Sequence, residues 1–122
     1  MKAAFCKETS RYVYVLVRED LDSRHQTVQA IHAAMLSAAA YGISGEERLV
    51  LLSVKSQKDL EDWSEILHHY KVPHKMFFEP DHDHHFTALA TSPIPLTKIF
   101  KKLKLWSGQE KTNRENSFGM AH

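Results

Sequence analysis

One cysteine is too few for an internal disulfide, which excludes the stapled scaffolds of small secreted domains and points to a reducing compartment. No apolar run approaches the ~20 residues that a membrane-spanning helix requires. The opening stretch MKAAFCKETS holds no apolar core of secretory length. A soluble, cytoplasmic protein is the expectation. Charge of one sign is lacking too: 16 Lys and Arg against 15 Asp and Glu leave +1 with histidine neutral. Any affinity for nucleic acid therefore has to come from a local patch. No internal repeat is present. What remains is ordinary for one globular domain: 122 residues, 43% hydrophobic and 25% charged, large enough to build a core unaided. Nine histidines are many for this length and make the surface more basic near pH 6.

The segment Arg11 to Val17 (RYVYVLV) is β-branched, aromatic and too apolar to have a wetted face, so it predicts a buried strand. A helical pattern follows from Ser23 to Tyr41, with Asp22 or Ser23 as N-cap and Gly42 as the stop. Val28, Ile31 and Met35 form one stripe of it, with Ala33, Leu36 and Ala40 beside them. The many alanines suit close approach to a sheet. Arg48 to Val54 predicts a second buried strand. Ser56 and Asp59 then form a short capping box for a helix to Tyr70, with Leu60, Trp63 and Leu67 at helical spacing and Trp63 anchoring the core. His74 to Glu79 and Phe86 to Thr91 predict two antiparallel strands around a polar turn, ended by Pro93 and Pro95. A short helix is expected over Leu96 to Trp106, and a tail without periodicity from Ser107 to His122. The domain is thus residues 1–106, and the order β-α-β-α-β-β-α favours an α/β fold: a mixed four-stranded sheet covered by helices on both faces.

His25, Gln29 and His32 stand at i, i+4 and i+7, so one helical face carries all three. That face either turns toward a cleft, or it is a solvated helix start at His25 with an interior His32 and a Gln29 amide bonded to buried backbone. The run Asp81-His82-Asp83-His84-His85 contains metal-ligand residue types. Adjacent ligands in a short turn point every way, however, and no cysteine or helical His-Glu pair completes a zinc pattern; a solvated turn is the preferred reading. Glu79 and Asp81 facing Thr87 across this hairpin is the competing, catalytic one. Lys98, Lys101, Lys102 and Lys104 surround Ile99, Phe100, Leu103 and Trp106, either as a basic helix steering an RNA backbone or as an amphipathic helix with its lysines in water, the preferred reading. Cys6 has no basic or helical setting that argues for a reactive thiol.

Three of these segments, in order, resemble the type 2 peptidyl-tRNA hydrolases. The strand YVLVREDLD leads directly into a helix, as in that family. Gln29, His32, Ala33 and Ala34 match its helix motif Ala-Gln-x-x-His-Ala-Ala, and Thr87-Ala88-Leu89-Ala90-Thr91-Ser92-Pro93 is similar to its late strand Thr-Val-Leu-Ala-Ile-Gly-Pro. The similarity spans residues 11–95. His25 stands where the family has lysine, with Arg24 adjacent. The family's Asp-Ala-Gly-Arg-Thr segment is replaced by Glu79-Pro80-Asp81-His82-Asp83-His84-His85, leaving Thr87 as the cleanly matched residue. The resemblance implies a peptidyl-tRNA hydrolase-like fold and hydrolysis of the ester of peptidyl-tRNA or a related aminoacyl ester. Glu79 or Asp81 would orient water, Thr87 would donate a hydrogen bond, and His25 with Arg24 would contact phosphate. Gln29 and His32 would line the ligand site. No cofactor or metal is implied, a tRNA-like ligand is the partner, and a homodimer is expected. The alternative is a non-catalytic RNA- or protein-binding module that keeps the fold. The hydrolase reading requires the start of the first helix and the acidic hairpin to meet around one groove.

Overall fold

The computed structural model describes residues 10–80 and 85–108. Strand β1 (Tyr12–Arg18) runs into helix α1 (Ser23–Tyr41), strand β2 (Arg48–Val54), helix α2 (Gln57–His69), strands β3 (His74–Glu79) and β4 (His85–Thr91), and a two-residue strand β5 (Lys104–Leu105). They form one mixed sheet in the order β3-β4-β1-β2-β5. β1 and β2 are parallel, with Val13 opposite Leu49 and Val15 opposite Leu51. All other pairs are antiparallel.

The period of two along β1 decides which helix covers which face. Val13, Val15 and Val17 join Ala88 and Ala90 under Ala30 and Ala33 of α1. Tyr14 and Leu16 point the other way, onto Leu60 and Leu67 of α2 and onto Phe100. Both faces are therefore covered by helix, as expected for an α/β layer structure. Trp63 packs at the rim of this second core with its ring 5.1 Å from Phe100.

Capping fixes the ends of both helices. Asp22 has extended backbone, and its Oδ1 accepts from the His25 N–H at 2.8 Å. Gly42 ends α1 at φ +72°, a conformation that favours glycine, and its N–H donates to Ala38 O. At α2, Ser56 Oγ accepts from the Asp59 N–H. The Asp59 carboxylate, however, takes the Lys55 N–H, one residue earlier than a capping box requires.

One expectation fails here. The sheet has five strands, because the segment Leu96 to Trp106 is not a helix. Its backbone closes two isolated turns, Lys101 N–H to Lys98 O and Leu103 N–H to Phe100 O, and then extends along β2. The reason lies in its anchors. Phe100 is buried on the α2 face, whereas Trp106 packs on the α1 face. Straddling the β2 edge requires extended chain, and the Trp106 N–H then donates to Leu51 O. The stripe Val28, Ile31 and Met35 faces away from the sheet. Helix α1 turns Ala30, Ala33, Gln26, Gln29 and Ser37 inward and leaves the stripe exposed. No described helix is long and apolar enough to cross a membrane. The predicted tail lies outside the described residues except for Ser107 and Gly108.

Candidate functional site

Helix α1 follows β1 directly, so its first turn stands at the edge of the sheet where β3 also ends. A groove of about 440 Å³ opens there, lined by Arg24, His25 and Val28 on the helix, Gln29 beneath them, and Glu79 across from them. The start of the first helix and the last residue of β3 thus share one depression.

Below the groove lies a chain of three side chains. The Thr87 hydroxyl donates to Gln29 Oε1 at 2.8 Å, and Gln29 Nε2 donates to Glu79 Oε2 at 3.2 Å. Thr87 and Gln29 are fully buried, so these bonds decide the direction of the amide and, through it, of the carboxylate. A β-bulge makes the chain possible. Phe77 pairs with Ala88 and Phe78 with Phe86, so Thr87 is the extra residue of β4. Such a residue breaks the strand's alternation and re-aims a side chain. Phe86 is held in turn by its own N–H, which donates to Gln57 Oε1, and by its carbonyl, which accepts from Arg18.

The sequence-predicted residues separate into three groups. Arg24, His25, Gln29 and Glu79 converge. Thr87 joins them only through Gln29; it is too deep to donate to a ligand in the groove. His32 lies outside: it is exposed, and its ring stacks on Phe77 at 4.6 Å and 3°. Its expected interior place goes to Ala33, one position further around the helix. Nor does the Gln29 amide bond backbone, as the alternative reading had it; both its ends hold side chains. Asp81, with His82, Asp83 and His84, lies outside the described residues. His85, expected in the turn, begins β4 opposite Glu79 at φ +61°. Among the described residues no group of three His, Cys, Asp or Glu side chains is placed to hold a metal.

His25 caps the groove through its partner. Asp22 accepts from the His25 backbone N–H, and its Oδ2 lies 3.1 Å from His25 Nδ1. These two bonds, the backbone one foremost, hold the Asp22 carboxyl below the usual carboxylate range. Arg24 is exposed at the first turn. Glu79 has no ion pair among the described residues, and its Oε2 accepts from the Gln29 amide.

Three elements were not foreseen. Val28 forms an apolar wall of the groove. Gln26 is fully buried; its amide donates to the Leu21 and Glu19 carbonyls, and its oxygen accepts from Trp106 Nε1 at 2.7 Å. The bulge at Thr87 completes the set. A signal for the first network existed in the sequence: Gln26 and Gln29 share one side of an alanine-rich helix, where amides need specific partners.

The chain matches no protein-family model and no curated protein.

Proposed function

We propose that the groove between α1 and β3 hydrolyses the ester of peptidyl-tRNA, or a related aminoacyl ester, as the resemblance of the three segments to type 2 peptidyl-tRNA hydrolases implies. One observation carries the reading: Glu79 is held by the buried Thr87–Gln29 pair and faces the same groove as Arg24 and His25. A carboxylate fixed by an amide on one oxygen can accept a proton of water on the other. That water attacks the ester carbonyl, and the tetrahedral oxyanion collapses with loss of the ribose hydroxyl, which takes up the proton from Glu79. Arg24 and the imidazole of His25 supply positive charge for the terminal phosphate. The exposed amide end of α1 adds its partial charge, which the Asp22 carboxylate opposes. The role of Thr87 is to orient Gln29. Asp81 is the competing base, His32 a contact beyond the groove on Phe77, and a tRNA-like molecule the partner. A cytoplasmic location and a pair of copies belong to the same reading.

A non-catalytic module binding RNA or protein is the second reading. It is favoured by the Glu79 carboxylate forming no ion pair among the described residues. Release of peptide from purified peptidyl-tRNA separates the two. Wild type is expected to release peptide, Glu79→Gln to lose about 100-fold or more, as loss of a general base does, and His25→Ala to lose less. Glu79→Gln retains an oxygen that accepts from Gln29, so its melting temperature should stay close to wild type. Inactive wild type, or full activity in Glu79→Gln, Asp81→Asn and His25→Ala together, removes the hydrolase assignment.

A further inference from the structure

Strand β3 closes the sheet at one end, with β4 as its neighbour among the described residues. In an antiparallel pair, successive residues of a strand turn their N–H and C=O alternately toward the partner and away from it. Two observations fix that alternation here. Before β3 the Ser92 N–H donates to Pro73 O, so Pro73, Lys75 and Phe77 face β4. At the far end Phe86, opposite Phe78, directs its N–H to Gln57 and its carbonyl to Arg18 instead. The backbone groups of His74, Met76 and Phe78 therefore point outward, to an edge that no described strand covers. Edges of this kind are commonly blunted by proline, by a bulge or by charge. β3 has no proline, its one lysine is Lys75, and the bulge lies on β4.

We propose that this edge is the subsite for the peptide of the ester substrate, which adds to the sheet as a strand beside β3. The inference rests on the ester-hydrolase reading of the groove and extends it. Its ground is continuity: Glu79, whose side chain lines the groove, is the last residue of β3. A peptide with its C-terminal ester at that carboxylate already stands at the end of the edge. Running back toward His74, it lies parallel to β3 and meets the three outward pairs of N–H and C=O in turn. Rings flank that path. On the α1 face the exposed His32 ring lies flat on Phe77 at 4.6 Å. On the other face Phe78, 46% exposed, packs edge-on to Phe86 at 5.4 Å. Main-chain bonds give affinity without reading sequence, so the edge accepts peptides of varied composition, their side chains alternating between the two faces.

The test measures affinity on full-length Glu79→Gln, so that it needs no turnover. Fluorescence anisotropy compares labelled tRNA carrying N-acetyl-alanine with the same tRNA carrying N-acetyl-tetra-alanine. The longer peptide is expected to bind about 10-fold more tightly or better, the gain of two or three net hydrogen bonds. N-methylation of one peptide amide at a time should remove most of that gain at every second residue, whose N–H faces β3, and little of it at the residues between. Adding Met76→Pro takes away one outward N–H at a place where an edge strand tolerates proline. It should cost the longer peptide about 5-fold and leave the shorter one unchanged. Equal affinity for the two peptides, a methylation loss that does not alternate, or an undiminished gain in folded Met76→Pro each overturns the proposal. Peptide release by wild type tells the two readings apart. Alternation without release removes the hydrolase and leaves a strand-binding edge, whereas release without a length effect keeps the hydrolase and removes the added strand.

Discussion

Toward β3 and β4, helix α1 sets Arg24, His25 and Gln29 against Glu79; toward β2 it sets Ile31, Ala34 and Met35 against Leu49 and Leu51. The first flank is organised by pairing. Each buried polar atom there has one partner at hydrogen-bond distance, and among the described residues no buried side-chain nitrogen or oxygen lacks one. Order of that kind is directional and intolerant, because removing one member strands the next. The second flank is organised by shape alone. Its outward side chains Val28, Ile31 and Met35 are exposed hydrocarbon and make no directional bond. A single helix thus carries two kinds of surface, buried paired amides inward and exposed hydrocarbon outward.

The largest test of this contrast is Gln29→Leu. The variant leaves the buried Thr87 hydroxyl without its acceptor and Glu79 without its donor. The expected cost is about 2–4 kcal/mol, a fall in melting temperature on the order of 10 °C or more for a domain of this size, followed by circular dichroism. A variant as stable as wild type would break the claim that pairing organises this flank. Trp106→Phe comes next and sharpens it, since Trp106 belongs to both sides: its ring lines the second flank and its N–H serves Gln26. Phenylalanine keeps most of the ring but removes the donor, so a loss of about 1–2 kcal/mol in urea unfolding is expected. A loss below about 0.5 kcal/mol would mean that shape alone matters there.

The smallest effect is a pH dependence on the α2 side of the sheet, away from both flanks. The His74 Nδ1–H donates to Val72 O, and Nε2 lies 2.7 Å from Ser64 Oγ, whose hydroxyl donates to it when the ring is neutral. Burial, with the neighbouring His68 adding to it and the Val72 bond opposing it, lowers its pKa from the ordinary 6.5. The unfolded chain then binds the proton more readily than the folded one. The contribution of His74 to stability is complete above pH 6.5 and declines as pH falls through the lowered value. Urea melts at pH 7.5 and pH 5.5 should differ less for His74→Gln than for wild type. An unchanged difference would remove His74 as its source.

The elements with strong local signals were legible. Periodicity and capping residues placed α1 from Ser23 to Tyr41 and β2 from Arg48 to Val54, matching the structure. Both signals are local, set by Asp22, Gly42 and a short apolar run of leucine and valine. The convergence of Arg24, His25 and Glu79 was legible only as a condition, because spacing along a chain says nothing about which helix end meets which strand end. The segment Leu96 to Trp106 misled for a related reason: its apolar spacing suits a helix, but its anchors lie on opposite faces of the sheet.

By itself the sequence determined the layer class, the boundaries of the two helices and the polar residues available to a site. These follow from side-chain chemistry and backbone preference acting over a few residues. Only the tertiary structure decided that Thr87 reaches Glu79 through Gln29, that Trp106 crosses the edge to Gln26, and that the apolar stripe of α1 points outward. Each of those depends on a strand register, a bulge or a helix rotation chosen by the packing of the whole sheet, where the fit of Ala30 and Ala33 against the valines of β1 outweighed the burial of Val28, Ile31 and Met35.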